Sequence, residues 1–276
     1  MSDGTLELRE VRGPSALGGG RRRALELLYL IAVTDFRRSY LGTALGYLWS
    51  FARPLALFAV LLTVFTQAFD LGDRVVNYPV LLLFNIVLFS FFQEATTQAV
   101  SSIVSQESVV RKTQFPRLVI PLAVVLTSAF NLGVNLVVVL GFLLAAGIEP
   151  RWTWLLFGLV LAALVVLTTA AAAILAALYP RFRDTGIIWG VTVTALFYAT
   201  PVLYPSDILS GRLRDLLALN PLTPLFELAR RWVIDPAAPY PEAGAGLAVA
   251  AAIFLAVCAL AVWVFRREAP RIAEEL

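Results

Sequence analysis

The chain contains no histidine, one cysteine and one lysine in 276 residues. Without histidine, the commonest general base and metal ligand near neutral pH is missing. A lone Cys258 excludes a disulfide within the chain. Charge is scarce too: Asp, Glu, Lys and Arg together make 15% of residues, where a soluble domain has about a quarter. No Walker A pattern and no glycine-rich phosphate loop occurs, so nucleotide binding and hydrolysis by that route is excluded. No nucleophile stands with a base and no close carboxylate pair falls at mid-membrane, which argues against a membrane transferase or protease. No internal repeat is visible, which argues against a repeat-built secondary transporter. The first 24 residues are rich in Gly and Arg and lack an apolar core, so no cleavable signal peptide is expected.

What the chain has in abundance is apolar surface. Hydrophobic residues make 59% of it and the mean hydropathy is +0.81. That composition describes an all-α polytopic membrane protein. Residues 1–20 read as a flexible cytoplasmic tail. Residues 21–44 read as an amphipathic helix in the interface plane, with Leu25, Leu28, Tyr29, Ala32 and Phe36 at helical spacing. Residues 45–266 hold six expected transmembrane helices, at about 45–69, 79–104, 115–146, 152–178, 186–204 and 243–265. The apolar run of the first is too short unless the helix extends back past Arg53, which would then snorkel or face protein. Residues 267–276 form a second cytoplasmic tail. Sixteen of the 22 Lys and Arg fall in the segments placed inside (1–54, 105–121, 179–185, 266–276). This asymmetry puts both termini in the cytoplasm.

Three stretches stand apart. In the second span, Glu94, Gln98, Ser101 and Ser105 recur on one helix face. Either this stripe faces protein or water, as a polar stripe inside a membrane must, or this half emerges into the cytoplasm. In the third span, Asn131 and Asn135 at i, i+4 read as an interhelical hydrogen-bonding face. Residues 205–236 are amphipathic and split by Asn220-Pro221, and neither half reaches spanning length. They read as two short re-entrant helices dipping into the outer leaflet, or as an external helical hairpin.

Residues 35–55, DFRRSYLGTALGYLWSFARPL, run from positive charge through aromatics into hydrocarbon. That is the order of a chain entering a membrane from the cytoplasm, and a basic juxtamembrane anchor would read the same way. The sequence RRSYLG, then LGYLW, then a proline opening the first span resembles the N-terminal segment of type-2 ABC permeases that export O-antigen, teichoic acid and capsule polysaccharides. In that family the segment is an amphipathic helix on the cytoplasmic face. Arg53 departs from the pattern, since a neutral polar residue usually precedes the proline. QESVVRKTQFPRLVIPL resembles the family's coupling segment between spans two and three. YPRFRDTGIIW resembles its Phe-Arg-Asp turn before span five, and TPVLYPSDIL with LNPLTPLFELAR its external gate.

The resemblance implies six transmembrane helices per subunit and a homodimer working with two copies of an ABC ATPase. ATP and Mg would sit on that partner, and this chain would bind no cofactor and no metal. A polyprenyl-diphosphate-linked glycan would pass between the two copies, among membrane lipids, with no nucleic acid involved. Arg37 and Arg38 are then candidates for attracting the diphosphate. Trp49, Phe89, Phe92, Tyr198 and Tyr204 are candidate sugar-stacking aromatics of the channel, with Glu94, Gln98 and Ser101 as its polar lining. Aromatics at such positions more often serve as interface belt or packing. Glu107, Arg111, Lys112 and Phe115 would transmit the ATPase stroke, or form a plain solvated positive-inside loop. A drug or small-lipid exporter of the same superfamily is the neighbouring alternative. A non-transporting assembly scaffold is the alternative of a different class.

Overall fold

The computed structural model describes residues 21–40, 48–69, 71–106, 117–209, 211–241 and 244–268, and these are helices and turns with no strand among them. In chain order the helices are α1 (Arg21–Tyr40), α2 (Leu48–Gln67), the single turn α3 (Leu71–Arg74), α4 (Tyr78–Ser105), α5 (Val119–Ala145), α6 (Trp154–Leu178), α7 (Thr185–Tyr198), α8 (Arg212–Ala218), α9 (Thr223–Ala229) and α10 (Ala245–Glu268). A 3-10 turn, Ser206–Ile208, precedes α8, and a π-helical turn, Arg230–Ile234, continues α9. Among the described residues four helices, α4, α5, α6 and α10, are long and apolar enough to cross a membrane. The 20 residues of α2 would reach about 30 Å at helical rise, and the helix does begin before Arg53.

The centre of the bundle is α4. From Val80 to Phe89 every side chain is buried, so this half is apolar on all sides, as a helix surrounded by others must be. Helices α2, α5, α6 and α7 all pack against it. Ala95 and Ala99 on α4 and Ala123 on α5 are buried, and such small side chains let membrane helices approach closely. The same device joins α6 to α10, where Ala170, Ala173 and Ala261 cluster beside Cys258. Across the α4–α7 contact, Trp189 Nε1 donates to Thr96 Oγ1 at 3.1 Å. On the flank, α1 seats the fully buried Ala32 against α5, with Phe36 edge-on to Phe130 at 5.8 Å. Leu25, Tyr29 and Leu30 point away and stay exposed, so α1 carries apolar surface on two faces.

The helix expected over 186–204 ends at Tyr198 instead. Its 14 residues reach about 21 Å, less than the ~30 Å of a hydrocarbon core. Pro201 explains the stop, because its ring clashes with the preceding turn and it has no N–H to give. The chain then runs without helix through buried Thr200, Pro201, Val202 and Leu203. Buried irregular backbone needs partners for its carbonyls, and side chains from elsewhere supply them. Asn85 Nδ2 of α4 donates to the carbonyls of Pro201 (3.0 Å) and Val202 (3.3 Å). The Tyr78 hydroxyl donates to Leu203 O at 2.9 Å and that of Tyr204 to Tyr198 O at 2.7 Å. Asn220 Nδ2 donates to Ala199 O at 3.0 Å and to Thr200 Oγ1 at 2.8 Å. Asn220 also accepts from the Leu222 N–H, so the Asn-Pro break between α8 and α9 pins the end of α7. The N-terminal end of α6 holds the π-helical turn, through Thr153 Oγ1 to Trp232 O (2.7 Å) and Trp154 Nε1 to Val233 O (3.1 Å).

Candidate functional site

The polar stripe of α4 has a destination. Its C-terminal half faces a cleft of about 610 Å³ walled by α2, α4 and α5. Trp49 and Arg53 enter it from α2, Glu94 and Gln98 from α4, and Asn131 and Asn135 from α5. One oxygen, Glu94 Oε1, accepts from Asn131 Nδ2 at 2.8 Å and from Gln98 Nε2 at 3.1 Å. Arg53 is near enough for its charge to act on the same carboxyl. Asn135 Nδ2 turns back to its own helix, donating to Asn131 O at 2.8 Å. The buried Ser128 hydroxyl, also on the cleft wall, makes no hydrogen bond. A spanning helix bundle therefore holds a recess of carboxylate, amides, a guanidinium and an indole. Such a recess suits a hydroxyl-rich guest better than a lipid tail.

A smaller recess of about 250 Å³ adjoins it, lined by Asp35 and Arg38 of α1, Gln98 of α4 and Val124 and Thr127 of α5. Gln98 belongs to both walls. Thr127 Oγ1 lies 2.9 Å from Ala123 O and 3.2 Å from Ala32 O, so one proton is shared between α5 and α1 at this point. Burial pushes the Asp35 carboxyl above its ordinary range, and the Arg38 charge opposes that push. Arg37 and Arg38 are both exposed at the C-terminal end of α1, where cations favour the helix dipole.

The candidates from sequence separate into three groups. Trp49, Glu94 and Gln98 meet in the cleft and Arg38 in its neighbour. Ser101 is exposed further along the α4 stripe, outside both linings. Phe89 and Phe92 pack in the bundle core instead of lining the cleft: Phe89 is 1% exposed. Its ring is edge-on to Phe197 at 5.2 Å, and that of Phe92 lies 6.1 Å from Trp189. They lie on the α7 side of α4, away from the stripe. Tyr198 is exposed and edge-on to Phe197, while Tyr204 serves the α7 terminus, so neither lines the cleft. Glu107, Arg111, Lys112 and Phe115 lie outside the described residues.

The sequence profile of the ABC-2 type transporter family matches residues 26–232. The chain belongs to that family. Its relatives include the O-antigen export system permease protein RfbA of Klebsiella pneumoniae, 32% identical over 201 residues, or 71% of this chain and 76% of the relative. The protein of the same name from Myxococcus xanthus is 32% identical over 201 residues, covering 72% of this chain and 76% of its own. A membrane-spanning transport subunit is thus the frame for the cleft.

Within this permease, sequence reasoning passed over two residues of the site. Arg53, expected to snorkel or to face protein, faces the cleft wall near Glu94, a place in the site that its spacing alone does not announce. Ser128 lies one helical turn before Asn131 and was not singled out. The asparagine pair was the signal that could have found it, since i−3 shares a face with i.

Proposed function

We propose that this chain is the membrane subunit of an ATP-driven exporter that moves a lipid-linked polysaccharide of the O-antigen kind out of the cytoplasm. The observation that carries the reading is the polar cleft of α2, α4 and α5, joined through Gln98 to the recess beneath Arg38. Arg37 and Arg38 attract a polyprenyl diphosphate at the inner surface, where each basic residue contributes about 1 kcal/mol. Sugar rings then move into the cleft, stacking on Trp49 and exchanging hydrogen bonds with Glu94, Gln98 and Asn131. Two copies of the chain enclose the path, each crossing a bacterial inner membrane six times, the fifth crossing completed by the buried non-helical stretch after α7, with both termini in the cytoplasm. The work comes from two ABC ATPase subunits that bind ATP and Mg.

The test is co-purification with an ABC ATPase in lipid nanodiscs, followed by ATPase assay with and without lipid-linked glycan. Stimulation by the lipid-linked glycan, and not by the polyprenyl phosphate alone, is expected. In cells, Arg37→Glu/Arg38→Glu should lower export at least ~tenfold with the protein still correctly inserted. Normal export by that double variant would remove the two arginines from the mechanism.

A further inference from the structure

A second cavity, of about 380 Å³, lies between α8, α9, the loop that follows the π-helical turn, and the first turns of α10. It shares no residue with the cleft. Its volume falls at the low end of ligand clefts, ~300–1,000 Å³, room for one or two rings and not for a long chain.

Its walls carry both signs of charge. Arg214 and Arg230 face the same space as Asp215 and Glu227. Arg230 is already matched, with Nη1 2.9 Å from Asp207 Oδ1 and Nη2 3.5 Å from Asp235 Oδ2. The Ser206 hydroxyl donates to Glu227 Oε1. Beside these groups stands Tyr240, 60% exposed. Pro239 precedes it with a fixed φ, and Pro241 restricts its own backbone. The Arg231 guanidinium lies 3.7 Å from the ring centroid and donates to the Ala238 carbonyl. The ring is therefore held in place before any guest arrives, which lowers the ordering cost of binding. At the floor, α8 and α10 approach so closely that a Cβ on Gly246 would stand 2.9 Å from the Ala218 Cβ.

This combination discriminates among guests. An anion would meet the Asp215 and Glu227 carboxyls as well as Arg214. The Arg230 charge is already matched by Asp207 and Asp235, while its buried Nε–H has no partner among the described residues and is open to a hydroxyl oxygen. An apolar guest would have to strip water from four ionisable side chains. A neutral sugar ring has what the walls ask for, with hydroxyls that both donate and accept, and a C–H face for an aromatic. Burial pushes the Glu227 carboxyl above its ordinary range, with Ser206 and Arg214 opposing, so this group can also donate to a hydroxyl when protonated.

We propose that this cavity is a binding site for one neutral sugar ring. The inference rests on the polysaccharide-export reading for its place in the cycle: on that reading the cavity is external and takes a ring of the emerging glycan after it has left the cleft.

Saturation-transfer NMR tests the site on the permease–ATPase complex, in nanodiscs free of glycoside detergent. The probes are the methyl glycosides of glucose, galactose and mannose. Transfer to the ring protons of at least one is expected, at least ~fivefold weaker in Tyr240→Ala and largely kept in Tyr240→Phe. Asp215→Asn, on an exposed side chain, gives a second loss if Tyr240→Ala does not fold. The comparison is made in a Trp49→Ala/Gln98→Ala background, which removes the cleft's own sugar contacts, so that the transfer that remains reports the second cavity alone. No transfer from any of the three glycosides overturns the proposal. So does equal transfer in folded Tyr240→Ala, or displacement of the glycoside by inorganic phosphate. Because no transport is measured, bound glycoside with an ATPase deaf to lipid-linked glycan would sink the export reading and leave the sugar site standing.

Discussion

Trp49 and Phe89 show how little residue type alone says about a membrane aromatic. Each is a candidate for stacking on sugar or for packing, and the structure sets one on the cleft wall and the other in the core. Hydropathy marks both as apolar and helical spacing assigns faces, but nothing in α4's first half tells which face meets α7. Their substitutions should therefore separate. Phe89→Ala should cost about 3–5 kcal/mol of stability, seen as early unfolding in nanodiscs. Trp49→Ala, at a site 55% exposed, should change stability by no more than ~0.5 kcal/mol while slowing export. If Phe89→Ala unfolds no earlier than the parent, the core assignment of that ring is wrong. Glu227 gives a pH readout at the same scale. Burial raises its carboxyl, so the folded state prefers the neutral form; Ser206 and the charges of Arg214 and Arg230 lower it, and Asp207 raises it further. The sign follows from linkage: this contribution is full below the ordinary carboxylate range and is lost as pH rises through the raised value. Thermal unfolding followed from pH 4 to 8 should show a decline that Glu227→Gln flattens.

At the scale of elements, the long helices were legible because an apolar run of spanning length has few other destinations. The end of α7 was not. Counting apolar residues carries the span on to Tyr204, since Val202 and Leu203 are as apolar as the helix before them. Pro201 was the stop signal, but a proline within a membrane segment is often tolerated when neighbours rescue the freed carbonyls. Here the rescuers sit far away in sequence, on Asn85, Tyr78 and Asn220, and no local pattern announces them. The split at Asn220-Pro221 was visible, whereas its grip on Ala199 and Thr200 was not. Asn85 is the sharpest test of this arrangement. Asn85→Leu leaves the Pro201 and Val202 carbonyls without their amide and should cost roughly 1–3 kcal/mol. Hydrogen exchange over 199–205 should rise in that variant with α4 itself unchanged. Equal protection in both proteins would mean that the amide is not what holds the turn.

For the whole molecule, the remaining question is where force enters. The chain carries no Walker A sequence, so an exporter built on it must receive its stroke through a cytoplasmic contact. On the proposed orientation the described candidates are few: α1 lies along α5, held through Ala32 and Phe36, and the segment between α6 and α7 is a short turn. The chain between α4 and α5 is longer, and it leads from the stripe that reaches the cleft back into the helix that bears Asn131. A push there would act on both walls of the cleft at once. That segment holds the chain's single lysine, Lys112, beside Arg111, with Glu107 and Phe115 toward its ends. Rim charges govern encounter and pairing, while an aromatic anchored in a partner's pocket carries affinity. Phe115→Ala should therefore uncouple ATP hydrolysis from export, leaving ATPase turnover but at most ~10% of transport, a loss of about 1.4 kcal/mol in coupling. Lys112→Ala should have a smaller effect, and one that grows at low salt. Cysteines placed along 107–115 in a Cys258→Ala background should cross-link to the ATPase. If they do not, and cysteines at 179–185 do, the stroke enters through the turn before α7 and reaches the cleft by way of Trp189 and Thr96 instead.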